Sequence, residues 1–342
     1  MPDPTVTAVV INYRSGDHLQ SCLEGLLADR ELLARVIVVD NASGDESHQP
    51  AQRASAADHR VELRMSQANL GLAGGVNLVL GEVRTPFLAI LNPDVTPRAG
   101  WLSPLVDRLE SDASVAAACP LILMQEDGRI NSAGQLLHVS GLGFNRRLGR
   151  PVDSVGVAAH EVGGLHGAAF VIRTESLRNL DGWDQTGFLY HEDVALSWDL
   201  LLSGKAIVCD PRSVVEHDYH LTMYPEKLHL LERNRWALLL SHLRWGRLLA
   251  VSPAILATEL MVWALSLIRG PRFVTAKARS YRWLFSNRGA IREWRGRVMA
   301  RPVYDLDRLR RHTGWAYPLS QLTGLGIEHG ASSRVPPGGL PT

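Results

Sequence analysis

Two acidic segments, far apart in the sequence, carry the residues best suited to chemistry. Asn92-Pro93-Asp94 follows the apolar run 87–91, and His191-Glu192-Asp193 precedes a segment with helical spacing of apolar residues. The first segment places a carboxylate at the carboxyl end of a predicted buried strand, where open α/β sheets bind ligands. The second places two acidic residues at a predicted helix N-terminus, where the helix dipole favours negative charge. Together they predict chemistry on a phosphorylated sugar.

Three further polar segments follow predicted structural elements in the first half of the chain. Asn12-Tyr13-Arg14 follows the first strand, and Asp40-Asn41-Ala42-Ser43 follows the second. A glycine-rich run from Asn69 to Asn77, which includes Gly71, leads into a helix. Caps and turns explain each segment taken alone. Because all of them lie at one edge of the predicted sheet, we interpret them as a nucleotide site.

Each of these segments has a specific expected role. The Arg14 cation and nearby backbone would meet a nucleotide, and the Asp40 carboxylate would bind a ribose hydroxyl or a base NH. The glycines would let the backbone approach a ligand closely. The run is not a Walker loop, because it lacks Gly-Lys-Ser/Thr. It also follows the third strand, which is the wrong position for a dinucleotide fingerprint.

Short β-rich runs alternate with helical patterns over residues 1–125. The predicted strands are 6–11, 36–39, 61–65, 87–91 and 115–124, and the predicted helices are 19–27, 72–83 and 102–109. This alternation predicts an α/β fold with a mostly parallel sheet and helices on both faces. The Gly- and Arg-rich segment 126–160 is expected to form a hairpin or a mobile loop near the site. After it we predict a strand at 163–172, a helix at 194–202, a short strand at 205–209 and an irregular segment at 211–220.

The net charge of +1 hides a strong asymmetry along the chain. Residues 1–226 carry 17 Lys and Arg against 29 Asp and Glu, whereas residues 227–312 carry 18 against 5. The basic region therefore indicates an anionic partner, which is lipid, nucleic acid or the acidic region itself. No nucleic-acid recognition module accompanies it, so we expect no nucleic-acid partner. The three cysteines and the absence of a basic signal segment favour a cytoplasmic protein.

Residues 248–268 form an apolar stretch with Glu259 as its one ionisable group. Such a helix is long enough to span a bilayer, which needs roughly 17–25 residues. Ser252, Glu259 and Ser266 share one helix face, however, which favours a helix lying in the membrane interface or packed on protein. The basic, aromatic continuation 272–297 is typical of segments at an anionic lipid surface. The tail 313–342 is expected to be partly disordered, chiefly after Ser332.

By the order of its motifs along the sequence, the chain resembles family 2 glycosyltransferases, the inverting GT-A group, and especially their rhamnosyltransferase-like members. The matching segments are Val9–Tyr13, Val38–Ser43, Asn69–Asn77, Leu91–Asp94 and Gly182-Trp183 through Glu192-Asp193. The resemblance implies a GT-A, Rossmann-like catalytic domain over 1–226, with a nucleotide-binding half at 1–125 and an acceptor-side half at 126–226. A basic helical region at 227–312 would then associate with the cytoplasmic face of the cell membrane.

The resemblance also implies a role for each site residue. Asp94 would take the metal-binding position of the Asp-x-Asp motif and His217 would assist it, with Mg²⁺ or Mn²⁺ as the cofactor. Asp193 would be the catalytic base, and Glu192 would act beside it and contact the acceptor. Trp183 would either stack on an acceptor sugar or be a core aromatic. The residues expected to bind the nucleotide-sugar are Asn12, Tyr13, Arg14, Asp40, Asn69, Gly71, Asn77 and Asn92.

The expected reaction is metal-dependent transfer of a sugar to a saccharide or lipid-linked saccharide. The sugar suggested by the resemblance is rhamnose, from its dTDP donor. Asn92 replaces the first aspartate of Asp-x-Asp, which predicts weaker metal binding. Glu232-Arg-Asn-Arg235-Trp236 partly resembles the Gln-x-x-Arg-Trp motif of processive synthases, and we interpret it as a basic helix packed on the site. Two alternatives stay open at this point: a nucleotidyltransferase acting on a sugar phosphate, and a non-catalytic scaffold that binds nucleotide-sugars.

Overall fold

A computed structural model describes residues 4–29, 31–219 and 222–322. The strands are β1 Val6–Asn12, β2 Leu33–Asp40, β3 Val61–Met65, β4 Phe87–Leu91, β5 Val95–Pro97, β6 Val115–Met124, β7 Ile130–Ser132, β8 Gln135–His138, β9 Gly143–Asn145, β10 His160–Glu161, β11 Ala169–Arg173, β12 Ala206–His217 and β13 Thr313–Gly314. The helices are α1 His18–Ala28, α2 Gln49–Ala57, α3 Gly71–Leu80, α4 Leu102–Ser111, α5 Thr174–Asn179, α6 Glu192–Leu202, α7 Pro225–His242, α8 Trp245–Arg269, α9 Pro271–Ser286, α10 Arg288–Met299, α11 Leu306–His312 and α12 Leu319–Leu322.

The central sheet has the strand order β10-β12-β6-β11-β4-β1-β2-β3. Strands β4, β1, β2 and β3 run parallel, and β11 is antiparallel to its neighbours β4 and β6. Every residue of β1, β4 and β6 is buried, as expected for a sheet covered on both faces. Asn12 lies opposite Asp40, and Val10 opposite Leu91, so the carboxyl ends of β1, β2 and β4 meet at one edge. The predicted α/β fold class is confirmed.

Strand β12 differs most from the prediction. It continues from Ala206 to His217, although residues 211–220 were expected to be irregular. The pairing with β6 shifts register between Asp210 and Val214, so Pro211 lies in a bulge where its missing N–H interrupts no regular ladder. Strand β11 is shorter than predicted, because it begins only at Ala169.

The segment between β6 and β11 contains a hairpin. Strands β8 and β9 pair antiparallel, and β13 adds a parallel third strand through Thr313 and Gly314. The beginning of the expected tail is therefore ordered against this hairpin. The part of the tail after Ser332, for which disorder was predicted, lies outside the described residues.

The basic helical region packs on the acidic part of the chain. Val251, Ile291, Trp294 and Val298 belong to one buried apolar cluster together with residues of the sheet and of α6. Arginine ion pairs cross this contact, among them Arg297 with Asp184, Arg301 with Asp199 and Arg308 with Glu161. Part of the basic charge therefore serves internal docking, which was one of the open alternatives.

Helix α8 has the reverse of the usual surface pattern. By length and composition it could cross a membrane, with a mean hydropathy of 1.9 and 28% of its most apolar window buried. Its polar residues Thr258, Glu259 and Ser266 turn toward the protein. The outward face is apolar, and its large side chains are 60–84% exposed: Trp245, Leu249, Leu256, Leu260, Leu267 and Ile268.

Candidate functional site

A buried polar network organises the carboxyl ends of β1 and β2. The Asn12 amide donates to Asp40 Oδ1 at 2.7 Å and to Ser47 Oγ at 3.1 Å. Asp40 also accepts from the hydroxyl and the backbone N–H of Ser43. Arg14, which has a left-handed backbone, donates its N–H to the Ser43 hydroxyl and its side chain to the Ser43 carbonyl. Asn12 and Asp40 therefore form the buried side of the loop that follows β1. Tyr13 is half-buried and Arg14 is exposed.

The glycine-rich run is tied to the same edge through Asn41. The Asn41 amide donates to Asn69 Oδ1 and to the Gly71 carbonyl, and its oxygen accepts from the Leu70 N–H at 2.9 Å. Gly71 has φ +70°, and a Cβ there would overlap the Phe188 carbonyl oxygen. The close approach that this glycine permits is thus to another protein segment, rather than to a ligand as predicted.

Asp94 and His217 face each other at the end of β4. His217 Nε2 lies 3.5 Å from Asp94 Oδ1, and its Nδ1 is 2.9 Å from Asn131 Oδ1. Since the amide oxygen only accepts, Nδ1 is the donor of this hydrogen bond, and Nε2 is the ring nitrogen that faces Asp94. Burial alone would raise the pKa of Asp94, but the electrostatic attraction of the His217 ring outweighs burial and holds that pKa below its usual range.

This arrangement fits a divalent cation. Asp94 Oδ1 is buried without a hydrogen-bond partner, and a histidine whose second nitrogen donates to an amide oxygen is the usual orientation for a metal ligand. Carboxylate oxygen and imidazole nitrogen suit Mn²⁺, and carboxylate oxygen suits Mg²⁺. Within the described residues, no group of three or more His, Cys, Asp or Glu side chains could complete a cation site, so remaining ligands would come from elsewhere. The predicted pair therefore lies together, as two ligands rather than a full set.

The segment His166–Ala168 connects this pair to the second acidic segment. The Ala168 carbonyl accepts from the Asn92 N–H at 2.8 Å, and the Gly167 N–H donates to Asp193 Oδ2 at 2.9 Å. The His166 ring centroid lies 5.7 Å from that of His217. Burial, with a smaller contribution from His217, lowers the pKa of His166 to about 3, so this ring is neutral.

Asp193 is an oriented carboxylate at the start of α6. Its Oδ2 accepts from the Gln135 amide and the Gly167 N–H, both at 2.9 Å, and its Oδ1 from the Val194 N–H. The Ser197 hydroxyl donates to the Asp193 carbonyl and accepts from the Leu165 N–H. Burial outweighs these hydrogen bonds and raises the pKa of Asp193 above its ordinary value.

Glu192 has a different environment. Its Oε2 is buried with no hydrogen-bond partner, and burial together with the neighbouring Asp193 raises its pKa to about 8. The two adjacent carboxyls are therefore distinct in character. Asp193 is held in place by N–H donors, whereas Glu192 Oε2 is buried and has no hydrogen-bond partner.

Two residues expected to contact ligands, Trp183 and Asn77, have protein partners in this structure. Trp183 is 2% exposed and packs edge-to-face on Phe170, so neither ring face can stack on a sugar, and its indole N–H donates to the Glu192 carbonyl. Asn77 bonds both backbone groups of Trp183, at 2.7 and 2.8 Å, and so fixes the chain rather than a nucleotide. Both residues position the segment that leads to Glu192.

Several site residues were missed because their partners are remote in sequence. Asn131 and Gln135 lie in the hairpin segment, 86 and 58 positions from His217 and Asp193. Ser197 projects one turn along α6, and His166 precedes β11 in a segment that was predicted to be strand. A His-Gly pair directly before an apolar run was the one local signal available for His166 and Gly167.

Comparison with known proteins identifies the family of this chain. The model of the family described as Glycosyl transferase family 2 matches residues 7–180. The pre-mycofactocin glycosyltransferase of Mycobacterium tuberculosis is 32% identical over 220 residues, which are 64% of this chain and 43% of that protein. The chain thus spans less than half the length of this relative. The N-acetylglucosaminyl-diphospho-decaprenol L-rhamnosyltransferase of the same species is 26% identical over 250 residues, 66% of this chain and 80% of that one.

Solved structures show the same fold. GalNAc-T7 with UDP, GalNAc and Mn²⁺ aligns with a TM-score of 0.61 at 17% identity, covering 80% of this chain and 54% of its own. The mannosyltransferase PcManGT from Pyrobaculum calidifontis, in complex with GDP-Man and Mn²⁺, has a TM-score of 0.53 at 17% identity and covers 87% and 85%. The strand order, the acidic residues at the sheet edge and the family match over half the chain agree, and the chain belongs to glycosyl transferase family 2.

Proposed function

We propose that this protein is an inverting, metal-dependent glycosyltransferase that moves a sugar from a nucleoside-diphosphate donor to a saccharide or lipid-linked saccharide. One observation carries the proposal: His166–Ala168 accepts a hydrogen bond from the Asn92 N–H, two residues before Asp94, and donates one to the Asp193 carboxylate. This short segment would therefore relate a leaving-group site at Asp94 to a base at Asp193. Family membership supports the same reaction class.

On the donor side, Asp94 and His217 would hold Mg²⁺ or Mn²⁺. A bound cation neutralises the charge that develops on the departing diphosphate, a contribution of several kcal/mol in such reactions. Asn131 fixes the His217 ring for this role, and Arg14 adds a cation at the exposed edge. Asp40 would act on the nucleotide from beneath the loop. The neighbours solved with UDP or GDP-Man and Mn²⁺ support this assignment.

On the acceptor side, Asp193 would remove the proton of the attacking hydroxyl. Its hydrogen bonds from Gln135 and Gly167 fix the carboxylate, and its raised pKa strengthens it as a base. A positioned base contributes about 10²–10⁴-fold in rate. With a single base and no enzyme nucleophile, displacement is in line and inverts the anomeric carbon. Glu192 would contact the acceptor through its unpartnered oxygen.

For the sugar and acceptor, we propose rhamnose from dTDP-rhamnose and a polyprenyl-linked saccharide. The support is the 26% identity to an L-rhamnosyltransferase that acts on a diphospho-decaprenol glycan. We place this reaction at the cytoplasmic face of a membrane, and the apolar outward face of α8 is consistent with a membrane location.

The nucleotidyltransferase alternative has less support. It requires a binding loop for a triphosphate, and the glycine run packs on residues near Phe188 instead. A non-catalytic scaffold would not need an Asp193 held by three N–H donors. A nucleotidyltransferase would release pyrophosphate, and a scaffold would form no product. One activity assay therefore separates both alternatives from a glycosyltransferase.

The test is sugar transfer from a panel of nucleotide-sugars, preceded by a thermal-shift screen of donors with and without Mn²⁺. Asp193→Asn should lower turnover at least about 10²-fold while donor binding survives. Glu175→Gln, which removes an exposed acidic residue from the first turn of α5, is the matched control and should keep full activity. Near-normal turnover by the Asp193 variant would exclude it as the base. Activity that persists in excess chelator would exclude the metal role of Asp94 and His217, and release of pyrophosphate would indicate a nucleotidyltransferase.

A further inference from the structure

The loop that leads into the acidic pair is conformationally strained. Phe188, Tyr190 and His191 all have left-handed backbones, with φ of 62°, 63° and 74°, and His191 directly precedes Glu192. A left-handed backbone costs a non-glycine residue on the order of 1–3 kcal/mol, and it persists only where the surrounding structure imposes it. Such a loop keeps its shape only if neighbouring groups fix it. We call residues 187–191 the support loop.

Helix α7 supplies the groups that fix the support loop. The Asn234 amide nitrogen lies 3.0 Å from the Gly187 carbonyl oxygen, 2.9 Å from that of Leu189 and 2.7 Å from that of Tyr190. Its two hydrogens are therefore shared among three acceptors. The Arg233 guanidinium also donates to the Gly187 carbonyl, at 3.1 Å. The Asn234 side chain thus binds three carbonyls of the support loop, which is part of no strand or helix.

Asn234 is itself fixed by the buried charges beside it. Arg235 is fully buried and pairs with Glu232 on the same helix and with Glu259 on α8. Lys277 on α9 pairs with the same two carboxylates. Because removing one member would leave a buried charge uncompensated, this cluster resists rearrangement. The register of α7, and with it the position of Asn234, is therefore well defined.

The other side of the support loop rests on α3. Gly71 contacts the Phe188 carbonyl, and the His191 ring lies 2.6 Å from the Gly141 carbonyl. The loop is thus held between the nucleotide-side helix α3 and the helical region, and its last residue determines where α6 begins. The position of Glu192 and Asp193 depends on both contacts.

We infer that Asn234 is a positioning residue for catalysis, which holds the support loop so that Asp193 and Glu192 face the acceptor. The inference rests on the proposed function. It also gives a positioning role to the Glu232–Trp236 motif, which the sequence analysis interpreted only as a helix packed on the site. The motif acts through the loop backbone and not by touching a sugar. The helical region is then part of the catalytic apparatus as well as of any membrane contact.

The test compares Asn234→Ala and Asn234→Asp with Asn287→Ala. Asn287 donates its amide to a single carbonyl, that of Trp283, between α9 and α10, so its loss removes a similar bond away from the loop. Both Asn234 variants should lower kcat about 10- to 100-fold, as expected for a misplaced base, and leave the donor KM within a few-fold. The Asp variant should be the more affected, because it places a carboxylate against three carbonyl oxygens.

Two readouts separate positioning from a general loss of structure. Hydrogen exchange at the Val194 and Ala195 amides should be faster in the Asn234 variants and unchanged in Asn287→Ala. The acid limb of kcat against pH should move to lower pH, since a loosened loop admits water and lowers the raised pKa of Asp193. If the Asp variant fails to fold, the Ala variant decides the outcome.

The inference would be overturned by unchanged kcat, or by a fall matched in Asn287→Ala, or by unaltered exchange at the start of α6. A wild-type chain inactive on every donor contradicts the proposed function instead. In that case the exchange data alone decide whether Asn234 holds the support loop.

Discussion

At the residue scale, Glu192 links the site to the stability of the protein. The folded chain holds its carboxyl proton up to a pKa of about 8, against an ordinary value of 4.5. Between these pH values the folded state binds a proton that the unfolded state has lost. Stability from this group is therefore complete below pH 4.5 and is lost as pH rises toward 8.

Replacing Glu192 with Gln removes this pH dependence. The thermal midpoints of variant and wild type should nearly coincide at low pH and diverge as pH rises, with the variant more stable. The shift from 4.5 to about 8 corresponds to a few kcal/mol, so we expect the thermal midpoint of the variant to exceed that of wild type by roughly 5–10 °C near pH 9. Scanning calorimetry across the pH range measures this. A constant difference between the two proteins at every pH would contradict the assigned environment of Glu192.

The identity of the acidic residues followed from the sequence, whereas their partners did not. Asp94 follows an apolar strand and Asp193 lies in the first turn of a helix, and both features depend on neighbouring residues only. Gln135, Asn131 and Asn234 reach the site from segments whose orientation depends on tertiary packing. Trp183 was left with two interpretations because a Gly-Trp turn does not reveal which way the indole points.

At the element scale, helix α3 shows how a glycine can serve packing rather than ligand binding. The sequence predicted this helix well, but it did not show what the helix would contact. Gly71 lies where α3 meets the support loop, with a left-handed backbone and no room for a Cβ beside Phe188. Gly81 at the other end of α3 has an ordinary φ of −65° and nothing within 4 Å of an added Cβ.

This contrast gives a matched pair of substitutions. Gly71→Ala should destabilise the protein by about 2 kcal/mol or more, because backbone strain adds to the overlap with Phe188. Gly81→Ala should be neutral or stabilising by about 0.4–1 kcal/mol, through reduced freedom of the unfolded chain. Chemical denaturation of both variants measures the difference. Equal free energies of unfolding for the two variants would mean that the support loop does not contact α3 closely at Gly71.

Strand β12 shows a limit of local patterns. Pro211 in a polar context predicted the end of the strand, yet the chain continues through a bulge to His217. The long parallel pairing with β6 extends from Ala206 to His217 and outweighs the local break. Without this continuation His217 would not reach Asp94, so the Asp94–His217 pair depends on an interaction that the sequence does not display.

At the scale of the whole molecule, the arginines of the basic region fall into two groups. Arg297, Arg301 and Arg308 pair with carboxylates of the acidic part and join the two regions. Other basic side chains of the same region lie exposed around α8 and its neighbours: Arg244, Arg269, Arg272, Arg282, Arg288 and Arg292. An apolar helix face surrounded by cations complements an anionic membrane surface.

The proposed membrane contact is tested on α8 itself. Leu256 and Leu260 are 60% and 64% exposed, so replacing both with Ser should leave the fold intact. Burying one leucine contributes about 1.5–3 kcal/mol, so the double variant should bind phosphatidylglycerol-containing vesicles at least about tenfold more weakly in a flotation assay. Leu78→Ser with Leu136→Ser, at exposed leucines outside α8, is the matched control and should bind as wild type does.

The lipid and salt dependence of binding distinguishes the alternatives for this surface. Peripheral binding should weaken in vesicles of phosphatidylcholine alone and with rising salt, because the arginine contribution is screened beyond about 8 Å at physiological ionic strength. Binding that needs detergent to reverse and ignores salt would indicate that α8 spans the bilayer. Equal binding by the wild type and the α8 double variant would remove the membrane role from this helix. Because α7 links α8 to the support loop, vesicles should also raise turnover on a lipid-linked acceptor more than on a water-soluble one.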